Sequence, residues 1–173
     1  MRRGCAGERG FTLVEVVVAV LIFSLLVGAA LALYHQAVLS WRREEARVDV
    51  QENLRIGLDR MSRELKTALR LVEAQEGRLG FIIEAKDDAG NTVQKTVYYY
   101  RDSARGQLMR KVDGGQNPLA SYVTVLRLVY YDAGDNPTQN LDSIRRVEIT
   151  LTGRKGNGPE VTMTTSVRIR ALG

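Results

Sequence analysis

Glu15 is the residue whose position most needs a chemical explanation. It lies near the start of an apolar run from Phe11 to Leu33, FTLVEVVVAVLIFSLLVGAALAL, and is the only charged residue among those 23. A carboxylate inside a bilayer costs roughly 2.5–3.5 kcal/mol on insertion scales, so it normally has a partner and a task. The partner can be made by chemistry at the junction four residues upstream, between Gly10 and Phe11. If the chain is cut after Gly10, Phe11 carries a new α-amino group at a helix N-terminus. That positive charge sits badly at the positive end of the helix dipole. Glu15, about one turn on, can offset the amine of its own chain or that of a neighbouring chain.

The other reactive residue types point to less. His35 is the only histidine, and the sequence supplies neither a nucleophile nor an orienting partner for it. No catalytic residue is therefore expected, and no enzyme activity. Cys5 is the only cysteine and precedes the apolar run. A chain lacking its first ten residues has none, which excludes disulfides, thiol catalysis and cysteine-based metal sites. Two acidic turns could attract calcium: Asp87 and Asp88 with Asn91, and Asp132 and Asp135 with Asn136. Neither has EF-hand spacing, and Asp, Asn and Gly are the ordinary residues of tight turns. No metal and no cofactor is expected. Tyr98, Tyr99, Tyr100, Tyr122, Tyr130 and Tyr131 suit either a binding surface or cross-strand packing, and packing is the commoner use.

The net charge of +5 comes from scattered doublets, Arg42-Arg43, Arg145-Arg146 and Arg154-Lys155. Scattered charge reads as a solvated basic surface, so nucleic acid is not expected as a partner. With 45% apolar residues the chain can bury a core, which excludes disorder.

The elements that must position Glu15 are legible by period. The apolar run is long enough to cross a bilayer core, which takes about 20 helical residues, and too long for an ordinary signal peptide. Gly28 and Ala32 form a small-xxx-small pair that permits close helix approach, while Tyr34 and Trp41 suit a membrane interface. No proline occurs before Pro118, so the helix can continue. Leu54, Leu58, Met61, Leu65, Ala68 and Val72 then recur at helical spacing, with Glu52, Arg55, Asp59, Arg60, Arg63, Glu64, Lys66 and Arg70 on the other side. One helix is predicted from about Phe11 to about Val72, apolar in its first half and amphipathic in its second. Gly57 marks a bend, a close packing point or a tolerated glycine.

After Glu76-Gly77 the period becomes two. Strands are predicted at Leu79 to Ala85, Thr92 to Arg101, Gln107 to Val112, Tyr122 to Asp132, Ile144 to Thr152 and Val161 to Ala171, divided by turn-rich segments. Their alternation gives an antiparallel sheet with one apolar face, and the helix stripe is the available cover. The fold class is α+β.

The N-terminal residues leave three ways of maturing. Cleavage after Gly10 is one. Ala30-Leu31-Ala32 fits a signal-peptidase box, and cutting there would release a secreted domain. An uncut single-pass anchor is the third. The length of the apolar run and the presence of Glu15 favour the first. Arginines on both sides of the run, Arg2, Arg3 and Arg9 before it and Arg42, Arg43 and Arg47 after it, leave the orientation open by charge alone.

A basic leader, Gly10, then Phe11-Thr12-Leu13-Val14-Glu15 opening an apolar helix closely resembles the N-terminal signal of type IV pilins and pseudopilins. The resemblance implies a pilin fold: a leader at 1–10, a transmembrane and filament-core half of the helix at 11–34, its amphipathic half at 35–76, and an antiparallel sheet at 77–173. It implies cleavage after Gly10 by a prepilin peptidase, methylation of Phe11, and pairing of Glu15 with the N-terminus of another subunit. Partners would be that peptidase, other pilin or pseudopilin subunits and the cytoplasmic membrane, with the C-terminal domain outside the cytoplasm. The stretch at 53–69 and the strand order also resemble J-class minor pseudopilins and W-type minor pilins. That implies a subunit initiating or capping a pilus or a type II secretion pseudopilus. A membrane-anchored or secreted binding module, or a DNA-binding pilin, stands as the alternative.

Overall fold

The computed structural model describes residue 10, residues 12–87 and residues 90–169. The chain divides into two compact units, Met1–Arg42 and Arg43–Gly173. One helix, α1 (Leu13–Lys66), supplies the described helix of the first unit and opens the second.

In the first unit the helix is apolar on every side and its side chains are exposed, from Leu13 to Leu33. Its one hydroxyl in mid-run, Ser24, donates to the carbonyls of Val20 and Leu21 at 2.6 and 3.0 Å. That back-bonding satisfies the hydroxyl within its own helix. The stretch is long and apolar enough to cross a membrane.

In the second unit α1 turns one stripe inward. Val50, Leu54, Leu58, Met61 and Leu65 are buried, at the spacing of three and four that places side chains on one helical face. Two antiparallel sheets meet that stripe. The first runs in chain order: β1 (Arg70–Gln75), β2 (Arg78–Lys86), β3 (Thr92–Asp102), β4 (Gln107–Val112) and β5 (Gly115–Ala120). The second holds β6 (Val123–Tyr131), β7 (Arg146–Gly153) and β8 (Val161–Arg168), also in chain order. Phe81, Tyr99 and Leu108 from the first sheet and Ile149, Leu151 and Val167 from the second share one core with the helix stripe. A long helix on antiparallel sheets is the expected α+β arrangement.

Gly57 is a close packing point. A Cβ there would lie 3.1 Å from Leu108 Cδ2, 3.3 Å from Ala120 Cβ and 3.3 Å from Leu151 Cδ1. Side chains of both sheets therefore close on the helix at that residue.

The structure departs from the sequence expectation in three places. First, α1 stops at Lys66 rather than near Val72. The last turn tightens, with Thr67 and Ala68 N–H donating three residues back to Glu64 and Leu65. Leu69 N–H then donates to Ile82 O at 2.8 Å, so the chain is already in the sheet. Leu71 and Val72 belong to β1, whose hairpin with β2 closes at Gln75↔Arg78. Second, Gly115–Ala120 is a strand and not part of a turn. The turn is Asp113-Gly114, with φ of 50° and 85° at its two residues, the backbone that a two-residue hairpin connection requires. Third, the strands form two sheets instead of one. The chain passes between them at Tyr122, whose φ of 65° puts a bulky residue in the left-handed region.

Candidate processing and assembly site

Thr12, Leu13, Val14 and Glu15 build the helix start from local chemistry alone. Helix α1 begins at Leu13, so Thr12 is its N-cap and Glu15 its third residue. Thr12 Oγ1 accepts from Glu15 N–H at 3.3 Å. Glu15 Oε2 reaches back and accepts from both the Thr12 backbone N–H and the Thr12 hydroxyl, each at 2.9 Å. This reciprocal pair is a capping box, which satisfies two backbone donors that the helix cannot satisfy itself. The carboxylate is thereby held at the positive end of the helix dipole. Thr12 enters the sequence reading as part of the N-terminal motif and not as a cap, although Thr-x-x-Glu ahead of an apolar run is the pattern that marks one.

Gly10 is exposed, and no atom lies within 4 Å of where its Cβ would be. Phe11, the leader residues before Gly10 and Asp88 lie outside the described residues. Beyond Glu15, Gly28 likewise has open space where a side chain would point. Tyr34, His35 and Trp41 are exposed on α1.

The remaining candidates are engaged locally. Asp132 Oδ1 accepts from the N–H groups of Gly134 and Asn136 at 2.8 and 2.9 Å, and Asp135 takes the Arg146 guanidinium at 2.8 Å. Asp87 accepts from Asn91 N–H at 2.7 Å. The tyrosines split by strand face. Tyr99 and Tyr130 are core residues, and the Tyr130 hydroxyl donates to Gln75 O at 2.8 Å. Tyr98 and Tyr100 lie on the outer face with Arg78 over both rings, at 5.2 and 5.8 Å from the centroids. Arg146 stacks over Tyr131 at 3.8 Å.

One polar cluster was misplaced by the sequence pattern. Glu64 belongs to the stretch read as the wet side of the helix, yet it meets the first sheet. Its Oε2 accepts from Tyr99 OH at 2.8 Å and from Arg110 Nε at 2.9 Å, while Arg60 holds Oε1. Burial pushes the Glu64 carboxyl up, but the hydrogen bonds from Arg110 and Tyr99 and the charges of Arg110 and Arg60 outweigh it and leave it below its ordinary value. Burial, with the adjacent carboxylate, pushes the Tyr99 phenol well up.

No curated protein matches this chain. Residues 5–31, which contain Gly10, Thr12 and Glu15, match the family model described as the prokaryotic N-terminal methylation motif, so this end of the chain is type IV prepilin-like.

Proposed function

We propose that the protein is a minor pilin or pseudopilin, a structural subunit that initiates or caps a filament. The observation that carries this reading is the motif match over residues 5–31 on a helix whose apolar side chains have no core of their own to enter. Such a helix calls for a bilayer before assembly and for other helices afterwards. A prepilin peptidase cuts after Gly10 and Phe11 becomes the methylated N-terminus. Glu15 then pairs with the amine of a neighbouring subunit as the apolar helices leave the membrane. The sheet domain lies outside the cytoplasm. The likeness of residues 53–69 and of the later strand-forming runs to J-class minor pseudopilins and W-type minor pilins supports a role in a type II secretion pseudopilus or a type IV pilus.

Mass spectrometry of the N-terminus of protein from its native host tests the reading. The expected mature start is Phe11 bearing a methyl group. A start at Leu33 would replace the filament subunit by a secreted domain, and an intact Met1 would replace it by a plain anchor. Glu15→Ala is expected to insert and be cleaved normally while losing incorporation into filaments. Normal incorporation of that variant would remove the amine-pairing role.

A further inference from the structure

The two sheets have four edge strands, and three of them are blunted. Strand β1 carries a bulge between Leu71 and Glu73 and exposes Arg70 at its start. Strand β5 contains Pro118 and faces a register shift at Leu108/Met109. Strand β6 shifts register at Val123/Val125, and its outer backbone is already taken: Val123 N–H by Gly106 O, Leu128 N–H by Glu76 O, and Tyr130 O by Thr138 N–H. These are the devices by which sheets protect their edges from further pairing. Strand β8 has neither a bulge nor a proline, and its one charge is the terminal Arg168. Its register with β7 is unbroken from Arg146↔Arg168 to Gly153↔Val161, and Val161 to Val167 contains no charge and no proline.

The pairing pattern fixes which backbone groups β8 presents. In an antiparallel ladder, alternate residues bond to a given neighbour. Ile169 N–H donates to Arg145 O at 2.9 Å, continuing the ladder, so Val161, Met163, Thr165 and Val167 are the residues bonded to β7. The outward bond of Leu128 requires the same alternation through β7. Thr162, Thr164, Ser166 and Arg168 therefore turn their N–H and C=O groups to the open edge, where no described residue pairs with them. Their hydroxyls tie the strand down on its outer face, Thr162 to Thr152 and Thr164 to Thr150 at 3.0 Å each. The strand is thus held against β7 with its other edge unpaired among the described residues. On the core side, Val161 and Met163 are only partly buried.

We propose that β8 is a strand-addition site that takes an extended segment of a different protein, antiparallel, as the fourth strand of this sheet. Charge and face set the chemistry of the occupant. Glu160 and Arg168 stand at opposite ends of the edge, so the segment carries a basic residue opposite Glu160 and an acidic one opposite Arg168. Between them it presents hydroxyl or amide side chains on the outer face and apolar ones toward Val161 and Met163. A second copy carries a strand of this composition too. Antiparallel pairing of two β8 edges, however, has its two-fold axis normal to the sheet and reverses the helix packed on that sheet. Copies anchored in one membrane run the same way. The choice of a different protein over a second copy rests on the membrane anchoring proposed above; the open edge of β8 does not.

The test uses the full chain in detergent and a labelled peptide of the sequence of residues 160–168. Aligned antiparallel about Thr164, this peptide sets Arg against Glu160 and Glu against Arg168. Saturable binding by fluorescence anisotropy is expected. Exchanging the terminal Glu and Arg of the peptide is expected to weaken it about threefold or more. Thr164→Pro removes an outward N–H and spares the backbone ladder to β7, but gives up the hydroxyl bond to Thr150; it is expected to weaken binding about tenfold with only a small fall in melting temperature. Thr164→Lys keeps the backbone, places a charge on the edge and is expected to weaken binding too. Absence of saturable binding, or equal binding by both variants, overturns the site. A β8-dependent dimer of the chain in lipid nanodiscs overturns the choice of partner.

Discussion

Two stretches of the same helix solve the problem of apolar surface in opposite ways. From Leu13 to Leu33 the side chains are apolar all round and exposed, with Leu25 at 68% and Leu33 at 72%. From Val50 to Leu65 a single stripe is buried, with Leu54, Met61 and Leu65 at 0%. Among the described residues the first stretch has no partner within its own unit; the second buries its stripe within its own. Sequence composition sets this division, because a helix apolar on every side cannot be covered by one sheet, whereas one stripe can. Folding of the sheet unit and use of the apolar stretch should therefore respond to different substitutions.

The largest expected effect follows directly. Leu54→Ala should destabilise the sheet unit by about 2–5 kcal/mol, as large-to-small changes in a closed core do. Leu25→Ala should leave that stability unchanged. Chemical denaturation in detergent, followed by far-UV circular dichroism, measures both. Equal losses would break the division.

A smaller effect is expected at Glu64, the polar contact between the second stretch and the first sheet. Glu64→Gln should cost about 1–2 kcal/mol at neutral pH, since Arg110 and Tyr99 keep a hydrogen-bond partner but lose its charge. The pH dependence has a definite sign. The folded-state carboxyl is held below its ordinary value, so its contribution is present above the unfolded value and is lost as pH falls through the lowered one. The wild-type chain should lose stability over that acid range, and the Glu64→Gln curve should be flatter there.

The smallest effect sharpens the comparison at the other end. Thr12→Ala opens the capping box and should cost the first turn of α1 about 1 kcal/mol. Amide exchange at Leu13 to Val16 should speed up, while exchange in the sheets stays as it was.

These regions also differ in how far the sequence revealed them. Leu54, Leu58, Met61 and Leu65 are where the helical period placed them. Extending the helix to Val72 failed because Ala68 and Val72 keep the spacing while the event that ends the helix is tertiary, the capture of Leu69 by Ile82. Strand β5 was hidden by Gly-Gln-Asn-Pro, residues of turns, although Asp113-Gly114 just before it is a hairpin connection in plain view. The Thr12–Glu15 pair is legible by its Thr-x-x-Glu spacing, which is a separate signal from the pairing of Glu15 with a terminal amine. Glu64 was not legible at all. Its partners Tyr99 and Arg110 lie 35 and 46 residues away, and a charged residue beside a helical stripe looks solvated until the opposing strand is placed.

The missing side chain at Gly57 has a mechanical consequence. Leu108 and Ala120 approach it from one sheet and Leu151 from the other, so the helix is gripped from two directions at the same residue. A pull along the Arg43–Lys66 stretch therefore loads both sheets at Gly57, through contacts that a larger residue there would push apart.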